Sequence, residues 1–364
     1  MQFTALVSLV AASVAIASPA AHLKKRATCP GGQTVDEAQC CIWFDVLDDL
    51  QTKLFNDEKC ESGVHHALRL SFHDAIGFSP ALTASGQFGG GGSDGSIIEH
   101  ADVELTFTHN GNLGGIVASE RSIALAHNVS FADMIQFAAA AGVASCPGAP
   151  RLEFLAGRPF TSQASPPNLV PGPEHTVTRI LDRMADAGFS ANETVDLLAS
   201  HSIADQHGLN PGIAGSPFDS TPHRFDTQFF IETLLKGVLY PGSTIGFAEV
   251  LSPLPGEFRM QSDFAIARDP RTSCRWQELA DNPQLMRTAF RTAMAKLAAL
   301  GNDRSTLVDC SSVIPNPDDD DTEPTLPGGK VADDIEGSCA ATPFPVLPIA
   351  PGPTPTIPAV RVAI

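Results

Sequence analysis

Residues 67–75 read Ala-Leu-Arg-Leu-Ser-Phe-His-Asp-Ala. Apolar residues recur at helical spacing from Val64 to Ala75, so the stretch is read as a helix. On a helix, Arg69 and His73 are four apart and share a face, with Phe72 beside them. A fixed cation, an imidazole and an aromatic wall on one face can polarise and protonate a small bound molecule. A solvated arginine and a satisfied buried histidine would also account for the pair taken alone.

Downstream lies Gly89-Gly-Gly-Gly-Ser-Asp-Gly-Ser96. Gly90, Gly92 and Gly95 satisfy GxGxxG, but no strand precedes them, so the dinucleotide reading is weak. A hard-cation loop fits better: backbone carbonyls, the Asp94 carboxylate and the Ser96 hydroxyl are Ca²⁺ ligands by type. Asp74, directly after His73, offers a further carboxylate. The arrangement recurs at Leu197-Leu-Ala-Ser-His201-Ser202, where an apolar helix ends in a histidine. Oxygen donors follow at Ser202, Asp219, Thr221 and Asp226. Loop-capping acids would explain Asp219 and Asp226 singly. Two histidines, each beside an oxygen-rich loop, suggest a planar cofactor with a metal between them, but spacing alone does not name it.

The rest of the chain fits a helical scaffold. Helical spacing is read over 41–55, 131–144, 177–187, 195–200 and 284–300, the last with Gly301 as its stop. Segments 77–96, 159–175 and 208–223 are rich in Gly, Pro and Ser and are read as irregular. Strand alternation is scarce, so the class is mainly α with long loops. Acids outnumber Lys and Arg by 41 to 23, which makes a nucleic-acid partner improbable. Thr4–Ala17 is an apolar run too short to span a bilayer comfortably, followed by small residues. Residues 1–18 are therefore read as a signal peptide, and 19–26 as a propeptide ending in Lys-Lys-Arg. The body is read as 27–341, with 342–364 a loosely attached Pro-rich tail. Secretion makes the eight cysteines, all within the body, candidates for four disulfides among 105 possible pairings. Asn128 and Asn192 open glycosylation sequons.

Taken together, these blocks resemble the secreted fungal haem peroxidases of the plant-peroxidase superfamily. ArgLeuSerPheHisAsp at 69–74 and the block 201–226 carry the likeness, over about residues 27–344. The segments CCIWFDVLDDLQ and FSPALTASGQFGGGG look most like the generic inky-cap type. The resemblance implies a two-lobed helical fold holding haem b between a distal and a proximal lobe. His201 would ligate the iron and Asp263 would accept its other ring proton. His73 would shuttle the peroxide proton, Arg69 would stabilise developing charge, and Asn110, supported by Glu104, would orient His73. Phe72 and Phe218 would pack on the two haem faces. Two Ca²⁺ ions are implied, one on Asp74, Gly92, Asp94 and Ser96, the other on Ser202, Asp219, Thr221, Arg224 and Asp226. The implied disulfides are Cys29–Cys41, Cys40–Cys310, Cys60–Cys146 and Cys274–Cys339.

Departures from the family pattern bear on subtype. Members that oxidise Mn²⁺ carry three carboxylates where this chain has Ser62, His66 and His207. Mn²⁺ favours carboxylate oxygens, so the site should bind it poorly, and Asp205 is shifted by two positions. Members that attack bulky aromatics use a surface Trp where this chain has Asp196. Trp43 and Trp276 are read as core residues and Tyr240 as an inert surface residue. The reading is a monomeric, secreted peroxidase that uses H2O2 to oxidise small phenols and aromatic amines in one-electron steps. A ligninolytic enzyme with an unrecognised Mn²⁺ or surface site is the alternative. A non-catalytic haem- or Ca²⁺-binding protein is the alternative of another class.

Overall fold

The computed structural model describes residues 26–57 and 59–361. The segment 1–18, and 19–26 except Arg26, lie outside the described residues. Two long helices open the body, α1 (Ile42–Lys53) and α2 (Ser62–Ala75). Short helical turns follow, α3 (Pro80–Ala84), α4 (Ser96–Glu99) and α5 (Ala101–Glu104). Next come α6 (Gly114–His127) and α7 (Phe131–Ala144). The second half holds α8 (Val177–Asp186), α9 (Ala191–Leu197), a 3-10 segment Leu198–Ile203, and α10 (Gln228–Leu234). It ends with α11 (Gln261–Arg268), α12 (Ser273–Ala280) and α13 (Pro283–Leu297).

Local chemistry sets the helix starts. Ser130 and Thr176 accept hydrogen bonds from the Asp133 and Arg179 amides at the starts of α7 and α8. Ser190 and Glu193 form a capping box on α9, and Asn282 caps α13 ahead of Pro283. Gly301 has φ +74°, and an added Cβ there would strike the Gly91 carbonyl. Chain reversal after α13 therefore also seats the glycine loop, whose Ser93 amide donates to Leu300 O at 3.0 Å.

The first core is built around α7. Ala132 through Ala144 are all buried, and the Ala138–Gly142 run lets α2 approach closely. Helix α2 is itself buried from Ser62 to Ala75, with only Arg69 and Phe72 left partly open. Trp43 joins this core, its ring 4.7 Å from both Phe137 and Phe154. The second core centres on Trp276, fully buried against Phe229 and Phe230, with Nε1 donating to Phe230 O at 2.9 Å. Both tryptophans are core residues, and truncating Trp276 should cost roughly 3–5 kcal/mol. Among the described residues, strands form only two-residue antiparallel ribbons. One of them, Asp205–Gln206 with Ser216–Pro217, leads from His201 back towards Asp219.

Four disulfides join Cys29 to Cys41, Cys40 to Cys310, Cys60 to Cys146 and Cys274 to Cys339, the pairs that the resemblance implies. Cys40–Cys310 closes a separation of 270 residues and so restrains the unfolded chain most, by roughly 5 kcal/mol in the chain-entropy view.

The tail departs from the expectation of a loose extension. Leu326 bridges Ile349, the Ile357 amide donates to Pro255 O at 2.7 Å and Val360 to Gly215 O at 2.8 Å. Ile357 and Val360 are buried. Proline removes amide donors but leaves apolar side chains and carbonyls, which suffice to lay an extended strap on the body. Helix α6 also went unread: it begins Gly-Gly, without a capping side chain.

Candidate active site

Between the two cores lies a cavity of about 580 Å³, within the range of cofactor sites. Arg69, Phe72 and His73 line it from α2, while His201, Phe218 and Asp263 line it from the second half. Its lining is predominantly apolar, with Leu197, Ile203, Met294 and Leu297 among the wall residues.

Each histidine is held at Nδ1. His73 Nδ1 is 2.9 Å from Asn110 Oδ1, and Asn110 Nδ2 donates to Glu104 O at 2.9 Å. The oxygen acceptor fixes the tautomer: the His73 proton sits on Nδ1 and the Nε2 lone pair is open. Support from Glu104 comes through its backbone carbonyl, because its carboxylate accepts the Ser165 amide at 2.9 Å. Burial, then the Arg69 charge, pushes His73 down to about 3. Its imidazole is therefore neutral at ordinary pH. Burial brings Arg69 down to about 10, which leaves it charged, and its Nη2 donates to Gly111 O at 3.1 Å and His109 O at 3.3 Å.

His201 lies in the 3-10 segment after α9, and its Nδ1 donates to Asp263 Oδ2 at 2.9 Å. Asp263 is 1% exposed, so this bond lies in a low-dielectric setting. Nε2 has no protein partner among the described residues, and the ring packs 5.2 Å from Phe218 and 5.5 Å from Phe229. An apolar slot with one tethered imidazole and a free Nε2 fits an axially ligated haem.

The candidate cation loops are acid-rich and under-satisfied. Asp74 is 1% exposed, accepts the Gly95 amide at 3.0 Å, and is pushed well up by burial and by Asp94. Asp94, itself raised by burial, accepts the Ser96 amide at 3.1 Å, and its own amide donates to Gly92 O at 2.9 Å. In the second loop, the Thr221 amide donates to Asp219 and the Thr221 hydroxyl to Asp226 at 2.9 Å. Asp219 Oδ2 and Asp226 Oδ2 are buried without a partner. Burial raises Asp219 well above its usual range, with Asp226 and Glu232 adding to it, and brings Asp226 to about 7. Adjacent buried carboxylates in this state fit a hard dication that would offset their repulsion. Ser202 is buried one residue from His201, with its hydroxyl donating to Ala199 O. The Arg224 side chain turns outward to Asp320.

At the Mn²⁺ positions of the family, His66 Nδ1 is 2.7 Å from Ser62 O, and its ring lies 4.7 Å from that of His207. Burial holds His66 down at about 4. Asp205 lines the same cavity but stands 2.6 Å from both His65 Nδ1 and His207 Nε2. Burial opposes its ionisation, yet the close His207 ring and the hydrogen bond from His65 hold its carboxyl well below the usual range. Sequence reading set Asp205 aside and did not reach His65 at all. The signal was present in the His65–His66 pair, but the pairing spans 140 residues. Asp196 is buried and ion-paired to Arg275 at 2.7 Å, and Tyr240 is half-buried. Both sequon asparagines, Asn128 and Asn192, are exposed.

Among the described residues no helix is long and apolar enough to cross a membrane. Residues 46–282 match the family model described as peroxidase, and 285–361 the one described as fungal peroxidase extension region. The chain is 59% identical over 330 residues to peroxidases of Arthromyces ramosus and of Coprinopsis cinerea, covering 91% of each chain. It is 49% identical over 363 residues to a versatile peroxidase of Pleurotus eryngii, covering 99% of this chain and 98% of the relative. With Arg69 and a neutral His73 facing one cofactor-sized cavity, the chain belongs to the peroxidase family, on the inky-cap side of it, and is an enzyme that oxidises donors with hydrogen peroxide.

Proposed function

We propose that the enzyme is a secreted, monomeric haem peroxidase of the generic type, stabilised by two Ca²⁺ ions, and that it oxidises small phenols and aromatic amines. One observation carries it: His73 and His201 line a single cavity, each tied at Nδ1 and each with Nε2 free of protein partners among the described residues. A bound haem would supply the iron at which peroxide is reduced and to which donors then return single electrons. His201 would hold that iron through Nε2, with Asp263 keeping the ring electron-rich.

His73 Nε2 would take a proton from one oxygen of H2O2 and deliver it to the other. That oxygen leaves as water. Arg69 stabilises the negative charge that builds as the O–O bond breaks. Two donor molecules each give one electron and one proton, so one H2O2 and two donors yield two waters and two donor radicals. Asn110 keeps the Nδ1 proton in place, so the basic nitrogen always faces the cavity. Asp74, Gly92, Asp94 and Ser96 would hold one Ca²⁺. Ser202, Asp219, Thr221, Asp226 and the Arg224 carbonyl would hold the other. Exposure of Asn128 and Asn192 allows glycans at both.

Replacing His201 by Ala tests the haem assignment. The histidine-ligated haem spectrum should be lost. A spectrum unchanged in that variant would remove His201 as the axial ligand.

A further inference from the structure

Beside the haem-sized cavity stand three residues that peroxide chemistry does not use: His109, Glu174 and His175. One ligand atom from each lies within 4.8 Å of the others. His109 Nε2 is 3.2 Å and His175 Nε2 3.3 Å from Glu174 Oε1. The two rings meet edge to face with centroids 5.2 Å apart.

With His109 neutral, the hydrogen bonding here is completed only by a second proton on the ring or by a metal cation. His109 Nδ1 is 3.1 Å from Val170 O, and a carbonyl only accepts, so Nδ1 carries the proton. That leaves a lone pair on Nε2 facing a carboxylate, which also only accepts when ionised. Metal-bound histidines commonly have this form, with the far ring N–H donated to a backbone carbonyl. Glu174 Oε2 is buried with no partner. Space is left by Gly172, where an added Cβ would collide with both Glu174 Oε2 and His109 Nε2.

We infer that His109, Glu174 and His175 form a further metal site, separate from the haem and from both acid loops, for a borderline divalent cation such as Zn²⁺. Two imidazoles and one carboxylate suit such an ion and leave a fourth position for water. They do not suit Ca²⁺, which prefers oxygens. The Gly172 amide donates to His175 Nδ1 at 3.0 Å, so His175 carries its proton on Nε2. Ligation by Nε2 moves that proton to Nδ1, which then no longer accepts from Gly172, whereas His109 binds without rearrangement.

The test is calorimetric titration of the holoenzyme with ZnCl2 in excess CaCl2, which keeps the acid loops filled. Wild type should bind one Zn²⁺, and Glu174→Gln and His175→Asn should each weaken it at least tenfold. His207→Asn, which alters the other histidine cluster on the cavity wall, should leave Zn²⁺ binding unchanged. Haem absorbance of each variant without Zn²⁺ checks folding. No Zn²⁺ binding by wild type, equal affinity in the Glu174 and His175 variants, or loss only in His207→Asn would each overturn the assignment. Binding is read without turnover, so its failure is distinguishable from a failure of the peroxidase reading.

Discussion

Asp263 Oδ2 accepts the Nδ1 proton of His201 at 2.9 Å, from a side chain that is 1% exposed. A buried carboxylate so placed orients the imidazole and makes Nε2 a stronger electron donor to a bound metal, and such outer partners are typically worth about 10–100-fold. Asp263→Asn keeps the shape and removes the charge. The peroxide step should slow by about 10–100-fold, measured by stopped-flow absorbance, with haem still bound. An unchanged rate would mean that Asp263 only positions the ring.

His73→Ala should slow the same step by about 10²–10⁴-fold, the usual worth of a positioned acid–base group. Haem should stay bound, since His201 is untouched. Full peroxide reactivity in that variant would rule out His73 as the proton carrier.

Burial places His73 at about 3, below its ordinary 6.5. The form needed for catalysis is the neutral one, so the peroxide step should be flat with pH from 7 down to about 4 and fall only below that. The unfolded chain binds this proton more readily than the folded one, so His73 makes stability decline as pH drops from 6.5 towards 3. A rate profile with an acid limb centred near 6.5 would contradict the burial of His73.

Removal of Ca²⁺ should destabilise the protein, because Asp74 faces Asp94 and Asp219 faces Asp226 with buried charge. A site filled a hundredfold above its Kd contributes about 2.7 kcal/mol. At about 2–4 °C per kcal/mol, each site should account for roughly 5–10 °C in Tm. Asp74 and Ser202 adjoin His73 and His201, so the haem spectrum should change as well. Unchanged Tm and spectrum after verified loss of both ions would remove the loops as Ca²⁺ sites.

Mn²⁺ should be a poor donor, since Ser62, His66 and His207 present no carboxylate and Asp205 is engaged by His65 and His207. Ser62→Glu, His66→Glu and His207→Asp together should raise Mn²⁺ oxidation at least tenfold in kcat/KM while phenol oxidation stays within a few-fold. Equal Mn²⁺ turnover before and after would place Mn²⁺ oxidation elsewhere on the protein.

The helix bearing Arg69 and His73 was legible because periodicity and chemistry coincide within nine residues. Helix α7 was legible from its apolar spacing alone, and α13 had Gly301 as its stop. What escaped reading depends on contacts across the chain. Asp205 meets His65 over 140 residues and Glu174 meets His109 over 65, and no local pattern announces either pairing. The tail misled by composition, since prolines that exclude a helix still allow a packed strap.

Stopped-flow absorbance after one equivalent of H2O2 is the most direct measurement, with separate chases of a simple phenol, Mn²⁺ and a non-phenolic methoxylated aromatic. A rapid change in the haem bands on adding peroxide, reversed quickly by the phenol alone, is the predicted result. No spectral response to peroxide would contradict the roles of Arg69 and His73. Efficient reversal by Mn²⁺ or the methoxylated aromatic would contradict the generic type and reveal a second oxidation site.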